Sequence, residues 1–251
     1  MKVSCYILPE GGASMQLKLP HEIKSEETKK KIMDATERML AQYGFRYLTV
    51  RNICDEAGVA YGSFYHHFGN KENVIYQFTC QLFQKAREDN PVPDWVHPDD
   101  YIKICLWHFA VYSCFCEALG KELVKYLYIN CPKEMFAEVY QKEIIPCLVR
   151  ANEMGYLDSD RNHVPLKAEP VALLSKDLDI TYKGVLLWWS SSSQEDTEPF
   201  HETMEHLCFH MLYSFSSERY ENADYPHDLL TDLPDFPGSI RIDNIFTKKA
   251  L

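Results

Sequence analysis

Basic residues are scarce in this chain: 26 Lys+Arg stand against 37 Asp+Glu, a formal charge of −11 over 251 residues. No run of about 18 apolar residues is evident. The opening MKVSCYILPEGG has neither a basic segment nor enough apolar length for a secretion signal, so a cytoplasmic protein with no membrane partner is expected. Internal repeats are absent too. So are the signatures of common enzymes: the pair Gly11-Gly12 and the serines from Ser190 lack the flanking residues of phosphate loops and nucleophile elbows, and no catalytic residues are assigned. The nine cysteines are an odd number, spread through apolar helical patterns, which argues for free thiols. Cys114 and Cys116, two apart on a helix, point in different directions and read as small buried hydrophobes. No cofactor is expected.

The acidic balance is not uniform. Residues 1–88 hold 12 Lys+Arg and 10 Asp+Glu, a balance of +2, while the remainder holds 14 and 27, a balance of −13. Lys29, Lys30, Lys31, Arg46, Arg51 and Lys71 lie in the less acidic part. Such a division orients a protein on a polyanion, although a charge run by itself is usually a solvated face.

Within that part, TVRNICDEAGVAYGSFYHHFGNKE, residues 49–72, carries the most information. Val50, Ile53, Cys54 and Ala57 recur at i, i+3, i+4, i+7, one apolar face of a short helix. Thr49 can cap its start, and Gly58 can close it in a left-handed conformation while Val59 plugs the corner. A second short helix, from Ala60 to Phe68, turns Phe64 and Phe68 inward and leaves Tyr61, Gly62, Ser63, Tyr65 and His66 outward. Those outward residues are small, polar or hydroxylated, which suits the major groove of DNA. Gly69 breaks the helix, and Asn70 can cap the next one with Lys71 in its first turn. Spacing alone also fits an ordinary corner in a helical protein.

From Lys30 to Lys71 the chain closely resembles the N-terminal domain of the tetracycline-repressor (TetR) family of bacterial transcription regulators. The resemblance rests on Ile32, Ala35, Met39, Leu40, Gly44, Thr49, Val50, Ile53, Ala57, Gly58, Val59, Gly62, Phe64, Tyr65, His67, Phe68, Lys71 and Glu72. It implies an all-α protein with a three-helix helix-turn-helix DNA-binding domain, followed by a helical regulatory and dimerisation domain. It also implies a homodimer, double-stranded operator DNA as partner, and a small-molecule effector. By the same resemblance Thr49, Tyr65, His66 and Lys71 match positions that hold phosphates, Tyr61, Gly62 and Ser63 match positions that face bases, and Arg51 adds to the DNA-binding set. Ala60 departs from the Ser or Thr usual there, removing a cap worth about 1 kcal/mol. Tyr61 departs from a basic or small residue, so the operator sequence does not carry over.

The expected organisation is an N-terminal arm at 1–24, the DNA-binding domain at 25–70, the effector-binding and dimerisation domain at 71–220, and a C-terminal tail at 221–251. Ser25 would cap the first helix, whose inward stripe would be Ile32, Ala35, Met39 and Tyr43. Lys71 to Asp89 forms the fourth helix. Asp99 and Asp100 open a nearly all-apolar helix from Tyr101 to Phe115, and Leu123, Tyr126, Leu127 and Ile129 continue the core. Pro146 should kink or break a helix between Lys133 and Met154. Another helix opens at Glu169-Pro170, and Ser190 to Glu198 forms a loop.

Three sets of residues are candidates in the second domain. Trp107, Tyr112, Phe115, Tyr126 and Trp188 could line an effector pocket, since such cavities are built from aromatics with a few polar groups. Core packing accounts for any one of them better. Phe200, Met204, Leu207, Met211 and Phe215 form an a/d-like stripe on the last long helix, a candidate dimer interface that would otherwise pack within one chain. Glu202, His206 and His210 share a helix face at metal-binding spacing, but edge polarity is the preferred reading and no metal is assigned. The resulting expectation is a homodimeric repressor released by a small molecule; the alternative is a dimeric helical regulator controlled by a protein partner or a metal.

Overall fold

A computed structural model describes residues 20–131, 137, 140–158, 169–193 and 200–223; the larger part of the expected arm and nearly all of the tail lie outside them. The chain divides into two compact units between Phe78 and Thr79. Among the described residues there is no strand, only an isolated antiparallel bridge between Leu157 and Ser216.

The first unit is built from α1 (Pro20–Tyr43), α2 (Val50–Ala57), α3 (Tyr61–Phe68) and the start of α4 (Lys71–Asp89). Helix α1 begins at Pro20 rather than Ser25, because proline's fixed φ and missing N–H suit a first helical turn. Ser25 therefore lies inside the helix and caps nothing. Ile32, Ala35, Met39 and Leu40 are the buried stripe of α1, whereas Tyr43 is 51% exposed. Leu48, Ile53, Cys54, Phe64 and Phe68 complete the small core.

The second unit packs α5 (Tyr101–Leu119) against α6 (Lys121–Asn130), α7 (Ile145–Glu153) and α9 (Phe200–Ser214). Helix α8 (Pro170–Ser191) packs on α6, α7 and α9, and the short α10 (Glu218–Glu221) follows. Contrary to the expected lack of a long apolar run, α5 is long and apolar enough by composition to cross a membrane, with mean hydropathy 1.3. Two thirds of that window, 67%, is buried inside the protein, as the central helix of a bundle requires. Asp100 caps α5, accepting from the Lys103 N–H at 3.1 Å; it also accepts from the Tyr220 hydroxyl at 2.8 Å and pairs with the Lys103 ammonium at 3.2 Å. The Tyr101 hydroxyl donates to the Leu212 carbonyl at 2.9 Å, tying α5 to the end of α9.

Pro146 has the expected breaking effect: a π-helical turn, Tyr140–Ile144, precedes α7, with the proline near its start where a missing N–H costs little. Leu123 and Leu127 are buried, but Ile129 is 63% exposed, on the side of α6 away from α5 and α8. Ser190 belongs to α8 and is buried, so the loop begins later; residues 194–199 lie outside the described region.

Candidate functional site

The outward surface of α2 and α3 follows from local rules. Thr49 sits in extended backbone, and its hydroxyl accepts the Asn52 N–H at 3.1 Å, satisfying one orphan donor of α2. Asn52 in turn donates its side-chain amide to the Tyr47 carbonyl at 2.8 Å, fixing the turn before the helix. Gly58 takes φ 64°, ψ 37°, the left-handed closure that only glycine enters without strain. Ala60 opens α3 in extended backbone with no side-chain cap, and Gly69 ends it. Asn70 then caps α4, accepting from the Asn73 N–H at 2.8 Å, while Asn73 donates to the Phe68 carbonyl at 2.9 Å.

Phe64 and Phe68 anchor α3 from below, with rings 5.8 Å apart. Tyr61, Gly62, Tyr65 and His66 are consequently exposed, and Ser63 is half-buried. A Cβ placed on Gly62 would meet nothing within 4 Å, so packing within the chain does not require a glycine there. Tyr65 stands edge-on to Phe64 at 5.6 Å, which directs its phenol outward. The Lys71 ammonium lies 5.5 Å over the Phe45 ring. Arg51 is 3.8 Å from Asp55 with both side chains mostly in solvent, a pairing that water and salt weaken. The eight residues expected to meet DNA thus lie on or beside the α2–α3 unit, none of them sealed in the core.

The aromatic candidates of the second unit divide. Trp107, Tyr112 and Phe115 are buried. Tyr112 and Phe115 pack against Phe83, with ring centroids 4.9 and 5.1 Å away, and Tyr112 also meets Tyr182 at 5.1 Å. Tyr126 is half-buried. Trp188 is 52% exposed and does not line an interior; the neighbouring Trp189 is the buried one, stacked on Phe200 at 5.0 Å.

A cavity of about 450 Å³ opens elsewhere, beside the C-terminal half of α4, α5 and the π turn. Phe83, Val92 and Val111 belong to its apolar wall, and Arg87, His108, Lys142 and Glu143 are among its polar groups. Arg87 and Glu143 form an ion pair. Burial pushes the His108 imidazole down to about 4, with Glu143 opposing the shift and Arg87 adding to it. The five aromatic candidates miss this cavity. A usable signal was His108, a titratable residue within the apolar run of α5.

On α9 the periodic stripe is split by packing. Phe200 and Met204 are buried against their own chain, with Cys208, Phe209 and Leu212, so they cannot form a dimer contact. Burying a side chain such as Phe200 contributes about 1.5–3 kcal/mol, here gained within the one chain. Leu207 and Met211 remain half-exposed, and Phe215 lies just past the end of the helix. Glu202, His206 and His210 are all exposed.

A capped tri-helical helix-turn-helix domain ahead of an all-helical second unit defines the class: a helix-turn-helix protein with a separate helical domain. Residues 32–76 match the family model for bacterial regulatory proteins of the tetR family, so this stretch is a TetR-type N-terminal domain. It is 41% identical over 61 residues to the transcriptional repressor KstR2 of Rhodococcus jostii, and 31% identical over 71 residues to the transcriptional regulator PksA of Bacillus subtilis. Those matches cover 23% and 28% of this chain, and the chain spans 30% and 34% of the two relatives. In fold it is similar to the TetR-family repressor FadR of Thermus thermophilus, solved with lauroyl-CoA, at TM-score 0.52 and 17% identity, over 74% of this chain and 93% of that one.

Proposed function

We propose that the chain is a cytoplasmic transcription repressor that binds a two-fold symmetric operator as a homodimer and is released by a small-molecule effector. The exposed, well-anchored face of α3 carries this reading. Tyr61, Gly62 and Ser63 are presented to base edges, while Thr49, Arg51, Tyr65, His66 and Lys71 hold phosphates on either side. The free N–H groups at the start of α4 add a further phosphate site beside Lys71. Two copies read successive major grooves, about 34–36 Å apart.

Dimerisation is assigned to α8 with the outer side of α9. Ile180, Leu187 and Trp188 are exposed apolar residues of α8, and Gly184 between them lets a second helix approach. Leu207 and Met211 extend that surface. The effector site is the cavity at Arg87, His108 and Glu143, whose lining joins a hydrophobic wall to a few charged groups. Its ligand favours one spacing of the recognition helices over another, a population shift.

Selection of bound duplexes from a random pool tests the reading. The expected product is a palindromic site whose affinity falls steeply with salt, and Lys71→Ala lowers the salt slope by about one. Equal, salt-insensitive retention of all duplexes would overturn it.

A further inference from the structure

Outside the DNA-binding face and the cavity, the second unit gathers three metal-ligating side chains that sequence spacing does not reveal. Cys114 and Glu117, three residues apart, share one side of α5 near its C-terminal end, and His201 stands in the first turn of α9. One ligand atom from each lies within 4.8 Å of the other two. All three residues are half-buried, shielded from bulk water yet reachable by an ion.

The local contacts hold two of the three side chains together. Glu117 accepts the backbone N–H of His201 at 3.0 Å, and its carboxylate meets the His201 Nδ1 at 2.8 and 3.0 Å. The imidazole is therefore already oriented by the carboxylate, and one carboxylate oxygen can keep the backbone N–H while the other turns to an ion. The Cys114 thiol is pushed up to about 12 by burial first, and then by the charges of Glu117 and Glu205. Ligands held at about 2.0–2.3 Å on a tetrahedral ion lie roughly 3.5 Å apart, so rotamer adjustment of the three side chains suffices to close the set.

We propose that Cys114, Glu117 and His201 form a divalent-metal site, of a class that takes Zn²⁺ or Co²⁺, which clamps the start of α9 to the end of α5. A sulfur, an imidazole nitrogen and a carboxylate oxygen are the donors such borderline ions prefer, and water supplies the fourth position. On binding, the Cys114 S–H bond breaks, its proton leaves to solvent, and a metal–thiolate bond forms with no change of oxidation state. The site differs from the exposed Glu202, His206 and His210 set and stands independently of the DNA-binding reading.

Titration of the full, reduced chain with Co²⁺ tests it. One equivalent per protomer is expected, with a thiolate-to-cobalt charge-transfer band in the near ultraviolet that Zn²⁺ abolishes by displacement, and a raised Tm. Cys114→Ser should remove that band, and Cys114→Ser and His201→Ala should each weaken binding by at least about tenfold. Glu117→Gln, which keeps an acceptor for the His201 N–H, should weaken binding with an unaltered far-ultraviolet spectrum. His206→Ala with His210→Ala should leave the band and the affinity unchanged. The proposal is overturned by absence of binding, by a cobalt spectrum without the thiolate band, or by loss of binding only in the His206/His210 variant.

Discussion

The Trp107 indole N–H donates to the backbone carbonyl of Asn90 at 3.0 Å, joining α5 to the residue that follows α4. Asn90 also donates its side-chain amide to the Ala86 carbonyl at 2.7 Å, and both Trp107 and Asn90 are buried. This buried indole is committed to closing the end of α4. Because Asn90 lines the cavity, the same bond holds part of its wall.

Trp107→Phe keeps most of the apolar contact and orphans the Asn90 carbonyl. A loss of about 1–3 kcal/mol is expected, seen as a lower urea midpoint at unchanged slope. An unchanged midpoint would mean that water replaces the indole.

Ala60 begins α3 without a side-chain cap. Ala60→Ser supplies one and should stabilise α3 by about 1 kcal/mol. Amide exchange within Tyr61–Phe68 is the measurement, and exchange as fast as in the parent chain would show that the serine makes no cap.

His108 gives stability a sign with pH. Its folded value of about 4 lies below the ordinary 6.5, so between these values the unfolded chain binds the proton and the folded one does not. The contribution is complete above 6.5 and is lost progressively as pH falls towards 4, by about 3 kcal/mol at most. His108→Gln should flatten the decline in unfolding free energy over that window. Parallel profiles for the two proteins would count against this role.

Trp188 and Ile180 test the dimer surface. Both project from α8 into solvent, so Ile180→Lys with Trp188→Lys should cost the monomer fold little. Sedimentation is expected to show a monomer, with operator affinity down by more than about tenfold. A persisting dimer would move the interface to another face.

What could be read along the chain was whatever closes within about one helical turn. Ile53 and Cys54, Phe64 and Phe68, and the caps at Thr49, Asn70 and Asp100 occupy the places their spacing and chemistry imply, because a cap or a helix face involves neighbours in sequence. The same reasoning failed where burial depends on which element covers a face. Trp188 and Trp189 are adjacent and alike, yet about 100° of helical rotation sets one in solvent and the other against Phe200. The stripe from Phe200 to Phe215 is periodic whether a partner or its own chain fills it, and its own chain buries Phe200 and Met204, with Trp189 and Tyr182 of α8 against Phe200.

By itself, the sequence determined the helical content, the helix-turn-helix unit with its caps and outward residues, and the family to which that unit belongs, since all rest on short-range periodicity and end chemistry. Only the tertiary structure decided which aromatics became core, that Arg87, His108 and Glu143 meet at one cavity, and that Cys114 and Glu117 face His201. These groups are separated by tens of residues, and their distances are set by how whole helices pack, which no local pattern encodes.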